Sequence, residues 1–182
     1  AARDGVDAYD LILPDAVAGP TGLLVLPHFS GSGTPTFDTA SRAAILGLTF
    51  ATTRRDIATA ILEGLTYELR RNLDLLQASG VRIDVLRAIG GGARSRLWLQ
   101  LKADITGIPV VTPRVTEAAA LGAALLAGVG AGLFPTAAEA AGRFLQLTET
   151  YAPEPARHAE YTRQYELYRQ VYPAVAPISH QL

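Results

Sequence analysis

The sequence has no cysteine and no methionine, and aromatic residues make up only 7% of its 182 positions. The absence of cysteine excludes a disulfide scaffold, a thiol nucleophile and a cysteine-ligated metal. No apolar run approaches the roughly 18 residues that a membrane-spanning helix needs, and the N-terminus lacks the apolar core of a signal peptide. We therefore expect a cytoplasmic protein without a membrane partner. Because an initiator methionine is also missing, we expect a piece of a longer protein.

The sequence also lacks an excess of charge of either sign, with 16 basic and 17 acidic residues and a net charge of −1. A broad basic field is what attracts nucleic acid, so we expect no nucleic-acid partner. The three histidines are scattered and show no metal-ligand spacing, so no metal held by protein side chains is expected. Hydrophobic residues at 49% in a chain of this length indicate one globular domain.

Predicted strands alternate with predicted helices, which indicates an α/β layered domain. The clearest helix covers residues 56–79, with Thr53 as its N-cap and Gly80 just past its end. Other predicted elements are strands at Leu23–Leu26 and around Val110-Val111, and helices over residues 95–106, 116–128, 136–144 and 157–172. The helix over 116–128 is rich in alanine and glycine, which allows close packing.

Two sets of side chains on these helices need an interpretation. Five charged residues on the long helix are expected to be mostly solvated: Glu63, Glu68, Arg70, Arg71 and Asp74. Four tyrosines recur at helical spacing near the C-terminus and are interpreted as a docking face: Tyr161, Tyr165, Tyr168 and Tyr172. Asp104 is interpreted as a packing or capping residue.

The most informative segment runs from Val85 to Ser95, where five largely apolar residues precede three glycines, an alanine and a serine that opens a helix. The apolar run predicts a strand that is buried on both sides. Glycine lets a backbone approach a ligand closely, and the N–H groups of a following helix favour an anion, most often a phosphate. Ser95 stands where a Rossmann fingerprint needs glycine, and no Lys-Ser/Thr pair completes a P-loop. A turn that serves only strand–helix packing is the alternative.

Three stretches in a defined order make the interpretation more specific. They are Leu26-Pro27-His28-Phe29-Ser30-Gly31-Ser32-Gly33-Thr34-Pro35; Ala43-x-Ile45-x-Gly47-Leu48 followed by Asp56-Ile57-x-x-Ala60-Ile61-Leu62-Glu63; and Gly90-Gly-Gly-Ala-Arg-Ser95 followed by Trp98-x-Gln100-x-x-Ala103-Asp104, Gly107-x-Pro109-Val110 and Glu117-Ala-Ala-Ala-Leu-Gly-Ala-Ala124. Together they resemble the C-terminal domain of the FGGY carbohydrate kinases, from about Gly22 to Tyr172. The loop Gly31–Pro35 differs from the Gly-Glu-Arg-Thr-Pro of many xylulokinase-like members and is closer to the glycine-rich version in glycerol kinases.

The resemblance implies an α/β fold of the actin-like ATPase (ribonuclease-H-like) type. The chain would be the C-terminal lobe of a two-lobed kinase, incomplete at its N-terminal end. It implies a linker or remnant at residues 1–21, the nucleotide-binding domain at 22–175 and a tail at 176–182. It also implies MgATP as cofactor, with an ATP site at Gly90, Gly91, Gly92, Ala93 and Ser95.

The implied reaction transfers the γ-phosphoryl group of ATP to a hydroxyl of a ketose or polyol, with a xylulose-like sugar as the default and glycerol as the main rival. The general base and the sugar pocket are expected upstream of Ala1, so the chain alone is expected to be inactive. Its expected partners are the missing N-terminal lobe and, in isolation, a second copy in a homodimer. Two alternatives stay open: a non-catalytic actin-fold module that holds nucleotide, and a structural domain whose glycines only form turns.

Overall fold

The structure is a computed structural model that describes Leu13 and residues 18–182. Most of the expected linker over residues 1–21 lies outside the described residues. The elements follow in the order β1 (Leu24–Leu26), β2 (Ala44–Leu46), α1 (Arg54–Ala78), β3 (Leu86–Arg87), a 3-10 helix (Gly91–Arg94), α2 (Arg96–Thr106), β4 (Val110–Pro113), α3 (Ala118–Gly130), α4 (Ala137–Phe144), β5 (Leu147–Tyr151), α5 (Pro155–Tyr168) and α6 (Val171–Ser179). The predicted alternation of strands and helices is confirmed, while β2 and β5 were not predicted.

Helix α2 lies at the centre of the domain because both of its faces are apolar. Leu97 and Leu101 join the main core, which also contains residues of β1, α1 and α5. Leu99 and Ala103 pack with Val110 of the second sheet. That sheet has the order β3-β4-β5, with β4 parallel to β3 and antiparallel to β5. A separate antiparallel pair, β1 and β2, packs on α1 through Leu23, Val25 and Ala60 and neighbouring partly buried residues.

Helix α1 is 25 residues long and touches the backbone of β1 directly. A Cβ added at Gly64 would lie 2.2 Å from the carbonyl oxygen of Val25. Glycine is therefore required at this position by the close approach of helix and strand. Ala60 and Tyr67 lie on the same buried face, one turn before and one turn after Gly64.

Thr53 is the N-cap of α1, as predicted, and a capping box fixes the start of the helix. The Thr53 hydroxyl accepts a hydrogen bond from the backbone N–H of Asp56, whose carboxylate accepts one from the backbone N–H of Thr53. Two N–H groups that would otherwise lack an acceptor are thereby satisfied.

Replacing Thr53 with alanine is expected to lower the free energy of unfolding by about 1 kcal/mol, because the box loses its hydroxyl. Urea denaturation followed by circular dichroism measures the change. Arg55→Ala, at an exposed position in the first turn, is the control and should stay within about 0.5 kcal/mol of the parent. Equal losses in the two variants would show that the capping box does not stabilise α1.

The prediction that the charges of α1 are mostly solvated is wrong. The side chain of Glu63 is fully buried, and Glu68, Arg70 and Arg71 are half-buried; only Asp74 is exposed. Their partners are the C-terminal tyrosines, whose hydroxyls donate to carboxylates: Tyr161 to Glu63 at 3.3 Å, Tyr165 to Asp74 at 2.6 Å and Tyr168 to Glu68 at 2.6 Å. The tyrosine stripe is thus a docking face within the chain, and the helix it docks against supplies the carboxylates.

The C-terminal helix differs from its prediction because it is divided. Helix α5 ends at Tyr168, and Tyr172 lies on α6, where its hydroxyl donates to Asp38 at 2.8 Å. Helix α6 continues past residue 175, with Ala176 and Ser179 buried, into the segment that we expected to be a tail.

The expectation of a strand over residues 85–89 that is buried on both sides is also wrong. Only Leu86–Arg87 forms a regular strand, and it lies at the edge of its sheet. Val85 is 42% exposed and Ile89 is 55% exposed, whereas Leu86 and Ala88 pack against the core. One face of β3 is thus covered and the other faces solvent.

Candidate functional site

The three glycines form a tight turn at the end of β3. Gly90 has φ 73° and ψ −165°, a conformation that only glycine adopts without strain. Its N–H donates to the carbonyl oxygen of Thr116 at 2.8 Å, and its carbonyl oxygen accepts from the N–H of Ala93 at 3.0 Å. The 3-10 helix Gly91–Arg94 follows at once. The turn therefore presents the start of a helix, where the first N–H groups have no acceptor within the helix.

The space around the turn differs from one glycine to the next. A Cβ added at Gly90 or Gly91 would meet nothing within 4 Å, whereas one at Gly92 would lie 2.9 Å from Cζ3 of Trp98. Ala93 is buried beneath the turn. The surface at Gly90 and Gly91 is consequently open to an approaching group, and the surface at Gly92 rests on α2.

Ser95 has a structural task next to the turn. Its hydroxyl accepts a hydrogen bond from the backbone N–H of Trp98 at 3.3 Å and so caps α2. The structure thus brings Gly90, Gly91, Gly92 and Ala93 together in one turn and places Ser95 at the junction with the next helix. Whether these residues bind ATP stays a prediction.

The start of α3 lies beside the turn. The hydrogen bond from Gly90 to Thr116 brings the two segments together, and Glu117 is the N-cap residue of α3. Its carboxylate pairs with Arg94 at 2.8 Å, with both side chains well exposed. Such a surface pair contributes about 0–1 kcal/mol, so it orients the two segments more than it stabilises them. Two helix starts consequently border the same open surface.

Asp104, in the fully buried part of α2, has the packing and capping role that was predicted for it. Its carboxylate accepts hydrogen bonds from the backbone N–H of Glu154 at 2.8 Å and from Nε of Arg157 at 2.7 Å. Gln100 donates to the same carboxylate at 2.9 Å. Asp104 thereby ties the start of α5 to α2.

Two side chains next to the turn were not among the predicted site residues. Trp98 donates from Nε1 to the hydroxyl of Thr66 at 3.1 Å, which fixes the indole against α1. Lys102, one helical turn further along α2, places its ammonium 4.2 Å from the centre of the indole ring. The sequence did carry a signal for this pair: the two residues stand four positions apart on a predicted helix, so their side chains are expected to be neighbours on its surface.

Two shallow concavities on the surface lie away from the turn. One, of about 320 Å³, is lined by Pro20, Glu160 and Arg163 among others, and the other, of about 530 Å³, by Thr36, Arg71 and Tyr165 among others. Neither is lined by residues of the glycine turn. Because a Cβ at Gly90 or Gly91 would meet nothing within 4 Å, the turn is an open surface there, and a ligand held there needs a second wall.

The described part of the chain offers neither a metal site nor a membrane-spanning helix. Within residues 18–182 no three His, Asp or Glu side chains are grouped so that they could hold a metal ion. None of the helices described there is both long and apolar enough to cross a membrane.

The comparisons with known proteins agree on one family. A family model for the C-terminal domain of the FGGY family of carbohydrate kinases matches residues 2–131. The xylulose kinase of Staphylococcus epidermidis is 34% identical over 154 residues, which are 85% of this chain and 31% of that protein. Glycerol kinase 2 of Saccharolobus solfataricus is 43% identical over 133 residues, which are 70% of this chain and 27% of that protein.

A solved structure agrees with these relatives. The ligand-bound xylulose kinase from Lactobacillus acidophilus superposes with a TM-score of 0.77 at 30% identity, over 88% of this chain and 33% of that one. The predicted fold, part of an actin-like ATPase domain, is thereby confirmed. The chain spans less than a third of the length of the two curated relatives. It belongs to the FGGY family of carbohydrate kinases and corresponds to their C-terminal domain.

Proposed function

We propose that this chain is the ATP-binding C-terminal part of a sugar kinase, which transfers the γ-phosphoryl group of MgATP to a hydroxyl of a ketose or polyol. The observation that carries the proposal is the open glycine turn in a domain of the FGGY family. Gly90 and Gly91 leave room for a phosphate to approach the backbone, and the N–H groups at the helix start favour negative charge. Gly92, Ala93 and Ser95 give the turn its shape.

The rest of the reaction is assigned to residues outside this chain. Phosphoryl transfer needs positioning, neutralisation of the phosphate charge and a carboxylate that accepts the hydroxyl proton. Mg²⁺ would enter with the phosphates of ATP. We place the general base and the sugar pocket in the N-terminal lobe, together with the second wall that the open turn lacks.

Two exposed apolar surfaces support such a partner lobe. Val85 and Ile89 are exposed beside the edge strand β3. Leu126 of α3 is 63% exposed on a helix that is apolar all round, a composition that is typical of a buried position. We propose that the N-terminal lobe covers these surfaces; a homodimer of the isolated chain is the alternative. The boundaries of the domain and a cytoplasmic location stay predictions.

The substrate is proposed only as a class. Relatives named xylulose kinase and glycerol kinase are both similar to this chain. The sugar contacts are expected mainly in the other lobe, so a xylulose-like ketose stays the default and glycerol the main rival. The second candidate function is a non-catalytic module that binds nucleotide at the same glycine turn but transfers no phosphoryl group.

Replacing Gly91 with valine in the complete kinase is expected to raise the KM for ATP at least about tenfold, because side-chain carbons would fill the space that the phosphates need. Since a Cβ at Gly91 meets no atom within 4 Å, the melting temperature should stay near that of the parent. Steady-state kinetics and thermal denaturation measure the two effects. Gly142→Val, on α4 and equally unobstructed at its Cβ, is the matched control. An unchanged KM for ATP in the Gly91 variant would exclude the turn as the nucleotide site.

The 182-residue chain by itself is expected to show no ATP consumption that depends on xylulose or glycerol, because the base and the sugar pocket are placed elsewhere. A coupled assay for ADP measures this. The complete polypeptide, assayed in parallel, should turn over one of the two substrates. Turnover by the short chain would show that its own residues carry the chemistry, and no turnover by the complete polypeptide would favour the non-catalytic module.

A further inference from the structure

The glycine turn rests on two side chains of α2. A Cβ at Gly92 would lie 2.9 Å from Cζ3 of Trp98 and 3.6 Å from Nζ of Lys102. Since real Cβ atoms do not approach other heavy atoms as closely as 2.9 Å, the turn is already in contact with the indole. The ammonium of Lys102 in turn lies 4.2 Å from the centre of the same ring. Indole and ammonium thus form one surface beneath Gly92.

The indole is held in this place by a bond to another helix. Its Nε1 donates to the hydroxyl of Thr66 at 3.1 Å, and that hydroxyl donates to the carbonyl oxygen of Leu62 at 2.7 Å. Thr66 is buried within α1. Because α1 carries much of the core, the position of Trp98, and with it the floor of the turn, is set by the core of the domain.

The ammonium of Lys102 supplies the positive charge of this arrangement. Lys102 is the only lysine of the sequence. It is half-buried, and within the described part of the chain no carboxylate lies at ion-pair distance from its Nζ. Burial lowers the pKa of the Lys102 ammonium. Arg94, the arginine of the turn itself, is paired with Glu117.

We propose that Trp98 and Lys102 are positioning residues for the glycine turn and set its affinity for an anionic ligand. Trp98 fixes the shape of the turn, and Lys102 supplies positive charge behind it that no carboxylate of the described residues neutralises. The cation–π contact keeps the ammonium at the turn although its stem is flexible. That the anion is the phosphate of a nucleotide rests on the proposed function. That Trp98 and Lys102 support the turn rests on the distances between these side chains and Gly92.

The first test is kinetic and uses the complete kinase. Lys102→Met is expected to raise the KM for ATP about threefold to tenfold without changing kcat, because one charge near the phosphates is lost while the chemistry is untouched. Lys102→Arg keeps the charge and should stay within about twofold of the parent. Arg82→Met removes a charge from an exposed pair with Asp84 and is the matched control. A Lys102→Met enzyme with the parent KM, or one that loses kcat instead, would overturn the role of Lys102.

The second test examines the support without any nucleotide and uses the 182-residue chain. Labelling with [13Cε]lysine gives one ε-methylene signal, because the sequence has one lysine. The ring current of Trp98 should move the signal of the Lys102 ε-methylene protons upfield, and Trp98→Leu should return this signal to its ordinary chemical shift. The amide shifts of Gly91 and Gly92 should change in the same variant. A lysine ε-methylene signal at its ordinary chemical shift in the parent would contradict the contact between Lys102 and Trp98. Unchanged amide shifts of the two glycines in Trp98→Leu would contradict the support of the turn by Trp98.

The two tests separate the possible failures. A complete kinase without any dependence on ATP would refute the proposed function and, with it, the assignment of nucleotide as the anion. A normal KM in Lys102→Met together with clear ATP dependence would refute only the role of Lys102. Melting temperatures of all variants identify those that fail to fold. If Lys102→Met is one of them, Lys102→Gln, which also removes the charge, should show the same rise in the KM for ATP.

Discussion

Replacing Gly64 with alanine is expected to lower the free energy of unfolding by about 3–5 kcal/mol, enough to unfold much of the chain. The added Cβ would lie 2.2 Å from the carbonyl oxygen of Val25. Both sides of this contact are backbone, so no side chain can rotate away. Helix α1 and strand β1 would have to separate, and the cluster of Leu23, Val25 and Ala60 would separate with them. Urea denaturation measures the loss.

The control for this prediction is Gly142→Ala. Gly142 also lies inside a helix, and a Cβ there meets nothing within 4 Å. Alanine at an unobstructed helical position should raise the free energy of unfolding by about 0.5–1 kcal/mol. Opposite signs for the two glycines would identify the contact with Val25 as the cause. A Gly64→Ala chain as stable as the parent would show that α1 and β1 are not packed in this way.

The second large effect concerns the pH dependence of stability, and its source is Glu63. Burial raises the pKa of this carboxyl from 4.5 to about 7, although hydrogen bonds from Thr21 and Tyr161 oppose the shift. Between these two values the unfolded chain releases the proton while the folded chain keeps it. Rising pH therefore favours the unfolded state. The stabilisation from Glu63 is complete below pH 4.5 and is lost as the pH rises through 7.

Glu63→Gln should remove this contribution while keeping the hydrogen bonds. The amide oxygen can accept from the N–H of Thr21 and from Tyr161, and the amide nitrogen can donate to the hydroxyl of Thr21. We compare the free energy of unfolding of the variant with that of the parent at each pH. The difference, variant minus parent, is expected to rise by about 3 kcal/mol from pH 4.5 to pH 8. Denaturation at a series of pH values measures the difference, in which the contributions of other titrating groups cancel.

Glu166→Gln is the control for the pH series. Glu166 of α5 is exposed and pairs with Arg169 at the end of the helix, so its replacement should shift the curve by at most about 0.5 kcal/mol at any pH. Parallel curves for Glu63→Gln and the parent would mean that Glu63 titrates normally in the folded chain. That result would contradict the burial of its carboxyl.

The sequence predicted the parts of the fold that depend on local patterns. The caps at Thr53 and Ser95, the helices and the glycine turn follow from residues that are close in the chain. The burial of Glu63 could not be predicted from α1 alone, because it depends on Thr21 and Tyr161, which lie 42 and 98 residues away. Leu65 of α1 is 40% exposed, whereas Gly64 and Tyr67 of the same helix are buried.

The candidate site, like the fold, could be predicted from the sequence only where it depends on neighbouring residues. The glycines of the turn could be identified from sequence because only glycine tolerates the backbone at Gly90. The support beneath the turn could not, because it joins Gly92, Trp98 and Thr66 from three elements. The exposure of Val85 and Ile89 was missed for a related reason: an apolar run indicates a strand but not which of its faces is covered.

The tyrosine–carboxylate contacts have a consequence for how the chain folds. They join residues that are 91 to 134 positions apart, so each contact closes a long loop before it contributes. Contacts of such separation make folding slow. During synthesis, α1 leaves the ribosome long before α5 and α6, and its tyrosine partners do not yet exist. The carboxylates of α1 and the apolar surface beside them therefore stay exposed to chaperones and to other chains until α5 and α6 have been added.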